Sequence, residues 1–192
     1  FCLSRGLGDV YKRQVVGQGR DQVTPYVTEQ APGARVVVQP RQEGTGNAVR
    51  VALESAGQIH GVLVVTYGDT PLLRSQTLAD LVAAHYAEGN AVTALNAKGE
   101  EYLTDVLAIL RADGHRAGFV RAPDPAEVEG VNDRVQLARA RRLYNDRVLR
   151  RWMLAGVTIV DPATTWIDAD VTLAADVEIG PGPQLQGRTV VE

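Results

Sequence analysis

Val62-Leu63-Val64-Val65-Thr66-Tyr67-Gly68-Asp69-Thr70-Pro71 joins a continuous, β-branched-rich apolar run to a Gly-Asp-x-Pro turn. A short run of this kind, closed by turn residues, is the pattern of a strand buried on both faces of a parallel sheet. Val36-Val37-Val38 has the same character, and each run is followed by a helical stretch. Behind Val38, the stretch from Asn47 to Ala56 places Ala48, Val51, Ala52 and Ser55 on one face. Behind Val65, Ser75 is placed to cap a helix whose Leu78, Leu81, Val82 and His85 fall at i, i+3, i+4 and i+7, ending near Gly89. Strand-helix-strand-helix implies an α/β layer with right-handed crossovers. Ala91 to Leu95 reads as a further strand, and Thr104 to Ala112 as a helix with Val106, Leu107 and Leu110 turned inward.

With 192 residues, 45% hydrophobic and 22% charged, the chain is expected to hold one domain plus part of another. It has no apolar run long enough to span a membrane and no signal-peptide pattern, so a cytoplasmic protein with no membrane partner is expected. The net charge of -3 gives no general attraction to nucleic acid or anionic lipid. Cys2 is the single cysteine, which excludes an internal disulfide and a cysteine-based zinc site. Phe1 stands first and Met153 is the only methionine, so the native start is expected to lie outside this chain. Asp9-Val10-Tyr11-Lys12-Arg13-Gln14 resembles a translated sequencing-library adapter, and residues 1–14 are set apart from the fold. They carry a net +2, leaving -5 on the remainder.

From Asn132 to Ala155 runs a helical stretch rich in arginine (Arg134, Arg139, Arg141, Arg142, Arg147, Arg150, Arg151), with Leu143, Tyr144, Trp152 and Met153 as apolar contacts. Without an aromatic stacking pattern or a second basic patch it reads as a solvated linker helix rather than a nucleic-acid or membrane surface. After Gly156 the period changes. Ile167, Leu173, Ile179, Leu185 and Val191 recur every six residues, with Val171 and Val177 two positions ahead of members of that row. A six-residue aliphatic repeat marks a parallel β-helix, and a coil with so few repeats is expected to leave its open end uncovered.

Asp69 falls at the carboxyl end of the Val62 to Val65 run, where open α/β sheets place ligands. A carboxylate there can hold Mg²⁺ together with substrate phosphates and water, and Gly68 lets the backbone approach closely. The same tetrapeptide is also good turn chemistry. Gln39 and Gly44-Thr45-Gly46 follow the Val36 to Val38 run and open the next helix, offering backbone N–H groups to a base or phosphate, or else a tight turn capped by Thr45 or Asn47. Gly17-Gln18-Gly19 lacks the third glycine of a dinucleotide loop. His60, His85 and His115 show no metal-ligand spacing, and no nucleophile with a base stands out.

Four ordered segments carry a resemblance: Gln39 to Ala48, Tyr67 to Leu73, Glu101-Tyr-Leu-Thr-Asp-Val106 and Glu129-Gly-Val-Asn-Asp-Arg-Val-Gln-Leu137, with the six-residue row behind them. Over Val15 to Glu192 the chain resembles the bacterial bifunctional N-acetylglucosamine-1-phosphate uridylyltransferase/glucosamine-1-phosphate acetyltransferase family of cell-wall precursor synthesis. Asp161-Pro-Ala-Thr-Thr-Trp-Ile-Asp168 looks like actinobacterial members. The resemblance implies a partial Rossmann-like nucleotidyltransferase domain over 15–131, a linker helix over 132–156, and the first hexapeptide repeats of a left-handed parallel β-helix over 157–192.

It further implies that Asp69 and Asn132 hold Mg²⁺, that Gln39, Gly44 and Thr45 contact the uridine, and that Tyr67 and Gly68 line the same pocket. The substrates would be UTP and N-acetylglucosamine 1-phosphate, the parent a homotrimer, and the acetyl-CoA site would lie beyond Glu192. Two departures stand out. The family's glycine-rich phosphate loop, with its arginine and Pro-Lys, is absent, and between Leu95 and Asn96 several dozen family residues are omitted, including those that recognise the sugar. The chain itself is therefore expected to be inactive. Another sugar-1-phosphate nucleotidyltransferase, or a noncatalytic hexapeptide-repeat assembly subunit, are the competing readings.

Overall fold

β1 (Lys12–Val16) passes through a glycine turn into α1 (Arg20–Gln30) and returns as β2 (Ala34–Val38). β2 pairs with β1 in parallel, from Lys12↔Ala34 to Val16↔Val38. α2 (Gly44–Ala56) follows, then α3 (Ser75–Glu88), β3 (Val92–Asn96) and β4 (Ala117–Arg121), the last two again parallel. A single 3₁₀ turn at Pro125–Val128 precedes α4 (Arg134–Leu154). This computed structural model describes residues 12–41, 44–57, 61–96 and 109–192. It divides into two units, Phe1–Val128 and Glu129–Glu192.

The α/β expectation holds for the first unit, with changes in detail. On α2, Ala48, Val51, Ala52 and Ser55 are half-buried, as the spacing requires. On α3, Leu78 is buried and Leu81, Val82 and His85 are half-buried on one face. Gly89 closes α3 in the left-handed conformation, φ 61°, with its N–H on the His85 and Tyr86 carbonyls. Ser75 does not cap it: Arg74 is the N-cap residue and gives no side-chain cap, because the caps of this helix come from elsewhere in the chain.

The decisive difference is Val62 to Val65, which among the described residues belongs to no strand ladder. Leu63 and Val65 are half exposed, as is Val38 in β2. A β-branched run becomes a doubly buried strand only when neighbours pair with both edges. Here the described sheets of this unit are β1-β2 and β3-β4, each two-stranded.

Lys12, Arg13 and Gln14, set apart on sequence grounds, form the first part of β1. α1 and β4 carry too little apolar period to be seen in the sequence. α1 buries no residue and has Pro25 inside it, and Phe119 of β4 is exposed. Residues 109–112 are helical, whereas Val106 and Leu107 lie outside the described residues.

In the second unit six two-residue strands follow one another: β5 (Thr158–Ile159), β6 (Trp166–Ile167), β7 (Thr172–Leu173), β8 (Glu178–Ile179), β9 (Gln184–Leu185) and β10 (Val190–Val191). They pair in parallel as β5-β8, β6-β9 and β7-β10, so three successive strands are matched by the next three. Ile167, Leu173 and Ile179 of the six-residue row are buried, whereas Leu185 and Val191 are half-buried. Burial thus fades toward the last coil. Val171 is buried and Val177 packs at the margin.

α4 groups with these strands and clusters Val148 and Leu149 with Ile159, Ile167, Leu173 and Ile179. Tyr144 and Met153, expected as apolar contacts, are exposed, whereas Trp152 packs as expected, beside the buried Ala140, Asn145, Val148 and Leu149. Asn145 fastens it. Its amide donates to the Thr165 carbonyl at 2.8 Å, and its carbonyl accepts from the Ile167 N–H at 3.0 Å.

Both tryptophans, Trp152 and Trp166, belong to the second unit, so their emission reports that unit alone. Leu149, 1% exposed, should cost about 2–5 kcal/mol when changed to Ala. N145A should cost about 2 kcal/mol, because it strands a buried carbonyl and a buried N–H. Urea unfolding followed by tryptophan emission checks both; an unchanged midpoint would mean that α4 does not cover the coil.

Candidate functional site

At the carboxyl ends of β1 and β2 the chain is tied down twice. The Gln39 N–H donates to the Val16 carbonyl at 2.8 Å, continuing the ladder one residue past β2. The Gln39 side-chain amide then reaches forward, donating to the Gly44 carbonyl at 3.2 Å and to Asn47 Oδ1 at 2.9 Å. Gly44 has φ 89°, a conformation that glycine adopts without strain, and it lets α2 start within reach of Gln39. Gln39 and Gly44 are therefore in direct contact, and Thr45 is exposed in the first turn of α2, where backbone N–H groups have no partner within the helix.

The second element is the turn from Tyr67 to Leu73. Thr70 Oγ1 donates to the Tyr67 carbonyl at 3.0 Å and the Leu73 N–H to the Thr70 carbonyl at 3.4 Å. Tyr67, Gly68 and Asp69 face solvent, while Leu72, 4% exposed, anchors the turn from below. Asp69 thus stands on a braced turn, after a segment that joins no described strand ladder.

Behind this turn lies a group that sequence reasoning did not find. Glu127 has no exposed surface. It accepts from the Arg74 N–H at 3.2 Å, from Arg74 Nε at 2.7 Å, and from Arg74 Nη2 and Thr77 Oγ1 in short contacts. α3 has no acidic residue in its own first turn, so Glu127 supplies the negative charge that a helix start favours. That missing acid was the one available signal. Burial pushes the Glu127 carboxyl up, but hydrogen bonds from Arg74 and Thr77 and the Arg74 charge outweigh it and hold the group below its ordinary value. Arg74 moves the other way, raised mainly by its bond to Glu127.

Asn132 belongs to the second unit, and Asp69 to the first. Asn132 is exposed, its N–H donating to Gln136 Oε1 at 2.6 Å, just ahead of Asp133, which caps α4 by accepting from the Gln136 N–H at 2.7 Å. Among the described residues no group of three or more His, Cys, Asp or Glu could hold a metal ion. His85 is engaged with Thr93, Nδ1 to Oγ1 at 3.1 Å. The Glu101 to Val106 segment and His60 lie outside the described residues. No described helix is long and apolar enough to cross a membrane.

A family profile described as MobA-like NTP transferase domain matches residues 5–159. The chain is also similar to the bifunctional protein GlmU of Thermobifida fusca, 44% identical over 243 aligned positions that cover 92% of this chain and 50% of that protein. For the GlmU of Streptomyces avermitilis the identity is 43% over 239 positions, 91% and 50% of the two chains. For that of Paenarthrobacter aurescens it is 37% over 256 positions, 100% and 52%. The resemblance drawn from the four sequence segments is borne out. The chain spans about half the length of the curated relatives it matches. Each alignment is longer than the chain's 192 residues, so the matched stretch of these relatives holds several dozen residues that this chain lacks.

Because the folded Glu127 carboxyl titrates below its unfolded value of about 4.3, its stabilisation is fully present above that value. It is lost as pH falls through the lowered folded value. Protection factors of the first α3 amides should be level from neutral pH down to about 5 and fall in more acidic buffer. E127Q should lower them by about 2 kcal/mol at neutral pH and remove the acid-dependent fall. An identical acid profile in E127Q would assign the fall to another group.

Proposed function

We propose that this chain, which belongs to the MobA-like NTP transferase domain family and is by that membership a nucleotidyltransferase, derives from a UTP:N-acetylglucosamine-1-phosphate uridylyltransferase. The observation that carries the reading is the Gln39 amide bound to Gly44 and Asn47 at the carboxyl ends of β1 and β2. It holds the first turn of α2 beside a parallel pair's ligand-binding edge. Gln39, Gly44 and Thr45 would hold the uridine there, with Tyr67 and Gly68 along the same pocket.

In the parent reaction the phosphate of N-acetylglucosamine 1-phosphate attacks the α-phosphorus of UTP and pyrophosphate leaves. The Asp69 carboxylate is a hard donor of the kind Mg²⁺ takes when phosphates and water complete its shell. Bound there, the ion would neutralise charge on the reacting phosphates. The chain's own residues contribute positioning: base contacts fix the nucleotide, and the braced turn presents Asp69 to it.

The paired two-residue strands of the second unit and their six-residue aliphatic row support a left-handed parallel β-helix built on hexapeptide repeats, with 132–156 leading into it. An acetyltransferase site using acetyl-CoA, trimeric assembly through the completed coil, and a cytoplasmic setting follow from the same reading of the parent.

The 192 residues contain no glycine-rich phosphate loop with its Pro-Lys, so uridine contacts should survive where turnover does not. Loss of a single preorganised donor costs about 10²–10³ in rate, and here a whole cradle is absent. Calorimetry with UTP and Mg²⁺ should detect binding that Q39A weakens, and D69A should remove the Mg²⁺-dependent part. An assay for UDP-N-acetylglucosamine should stay at the no-protein level. Binding indifferent to both substitutions would sink the assignment of these residues, and turnover above the control would sink the inactivity.

A further inference from the structure

We propose that Glu127 is a positioning residue for the nucleotide site, fixing the Tyr67 to Leu73 turn that presents Asp69 by gripping Arg74 and Thr77 at the start of α3. The proposal rests on the nucleotide-binding reading above. A carboxylate with no exposed surface is costly to bury unless donors surround it. Glu127 has four, all from the first residues of α3: the Arg74 backbone N–H, two guanidinium nitrogens of the same residue, and the Thr77 hydroxyl. Both prongs of the Arg74 fork reach Oε1, while the Arg74 N–H and the Thr77 hydroxyl reach Oε2, so both carboxylate oxygens are held.

The link from this anchor to Asp69 is short and stiff. Only Thr70, Pro71, Leu72 and Leu73 intervene. Pro71 has its φ locked by its ring, Leu72 is buried, and the Leu73 N–H is spent on the Thr70 carbonyl. With so little freedom between them, a shift of the Arg74 backbone is passed to Asp69. Arg74 and Thr77 are 50 or more residues from Glu127 in sequence, so the grip is a tertiary constraint on the turn, not a local cap. A salt bridge that served stability alone could be replaced by apolar packing with little loss. One that aims a ligand-bearing turn could not.

Three measurements on the full chain test this in E127Q and in R74K, which keeps the cation and loses the fork. Hydrogen exchange without ligand should show at least tenfold faster exchange across residues 67–74 in E127Q, with a smaller effect in R74K. Affinity for UTP with Mg²⁺ should fall about tenfold, in line with other residues that orient a ligating group. Affinity for uridine alone, which depends on Gln39, Gly44 and Thr45 outside the turn and only in part on Tyr67 and Gly68 within it, should fall clearly less than that for UTP with Mg²⁺. A merely structural role would weaken uridine and UTP by the same factor, and that outcome overturns the proposal, as does unaltered exchange at 67–74. If E127Q fails to fold, R74K decides on the same criteria. If the unaltered chain binds neither uridine nor UTP, the nucleotide reading fails, and the exchange comparison alone then says whether Glu127 holds the turn.

Discussion

An ionised carboxylate withdrawn from water must be met by donors, and the chain around Glu127 is arranged to meet it. Its partners are Arg74 and Thr77, so the 3₁₀ turn at Pro125–Val128 and the start of α3 are held together across a long stretch of sequence. α3 brings no acid of its own to its first turn. The same carboxylate therefore does three things at once: it satisfies the N-cap N–H, it neutralises the Arg74 guanidinium, and it complements the helix dipole. The turn that carries Asp69 runs straight into this anchor.

The rest of the first unit is governed by how many neighbours a parallel strand has. β1 with β2 and β3 with β4 make full parallel ladders, yet among the described residues each pair stands as two strands. Two-stranded ladders cover little apolar surface, which is why Val38 and Phe119 retain large exposures; Leu63 and Val65, in no described ladder, are as exposed. The relatives hold several dozen residues within the matched stretch that are absent here. A chain without them has correspondingly less with which to pair and cover its strands.

The second unit solves the burial problem differently. No strand there exceeds two residues, so no strand could be stable by its own pairing. Stability comes from stacking: each strand pairs with the one three places on, and the aliphatic row turns inward under α4. Asn145 makes the join specific by bonding one carbonyl and one N–H of the first coil, where an apolar side chain would leave both unpaired. Burial falls along the row from Ile167 and Leu173 to Leu185 and Val191.

The sequence by itself determined the periodic elements. The apolar face of α3, the span of α4 and the six-residue row could all be read from spacing, because those patterns arise from helix and coil geometry within a few consecutive residues. The four ordered segments likewise led to the nucleotidyltransferase resemblance that the comparisons bear out. The strand-to-helix turn that holds Gln39 and Gly44 was legible from its glycines, but the hydrogen bond between the two was not. What spacing could not decide was whether Val62 to Val65 would find partners, since pairing depends on strands elsewhere in the chain. Nor could it reveal Glu127, which in sequence is one acid among 23 Asp and Glu residues. Only the tertiary fold brings Arg74 and Thr77 around it, and only burial turns an ordinary carboxylate into the anchor of the Asp69 turn.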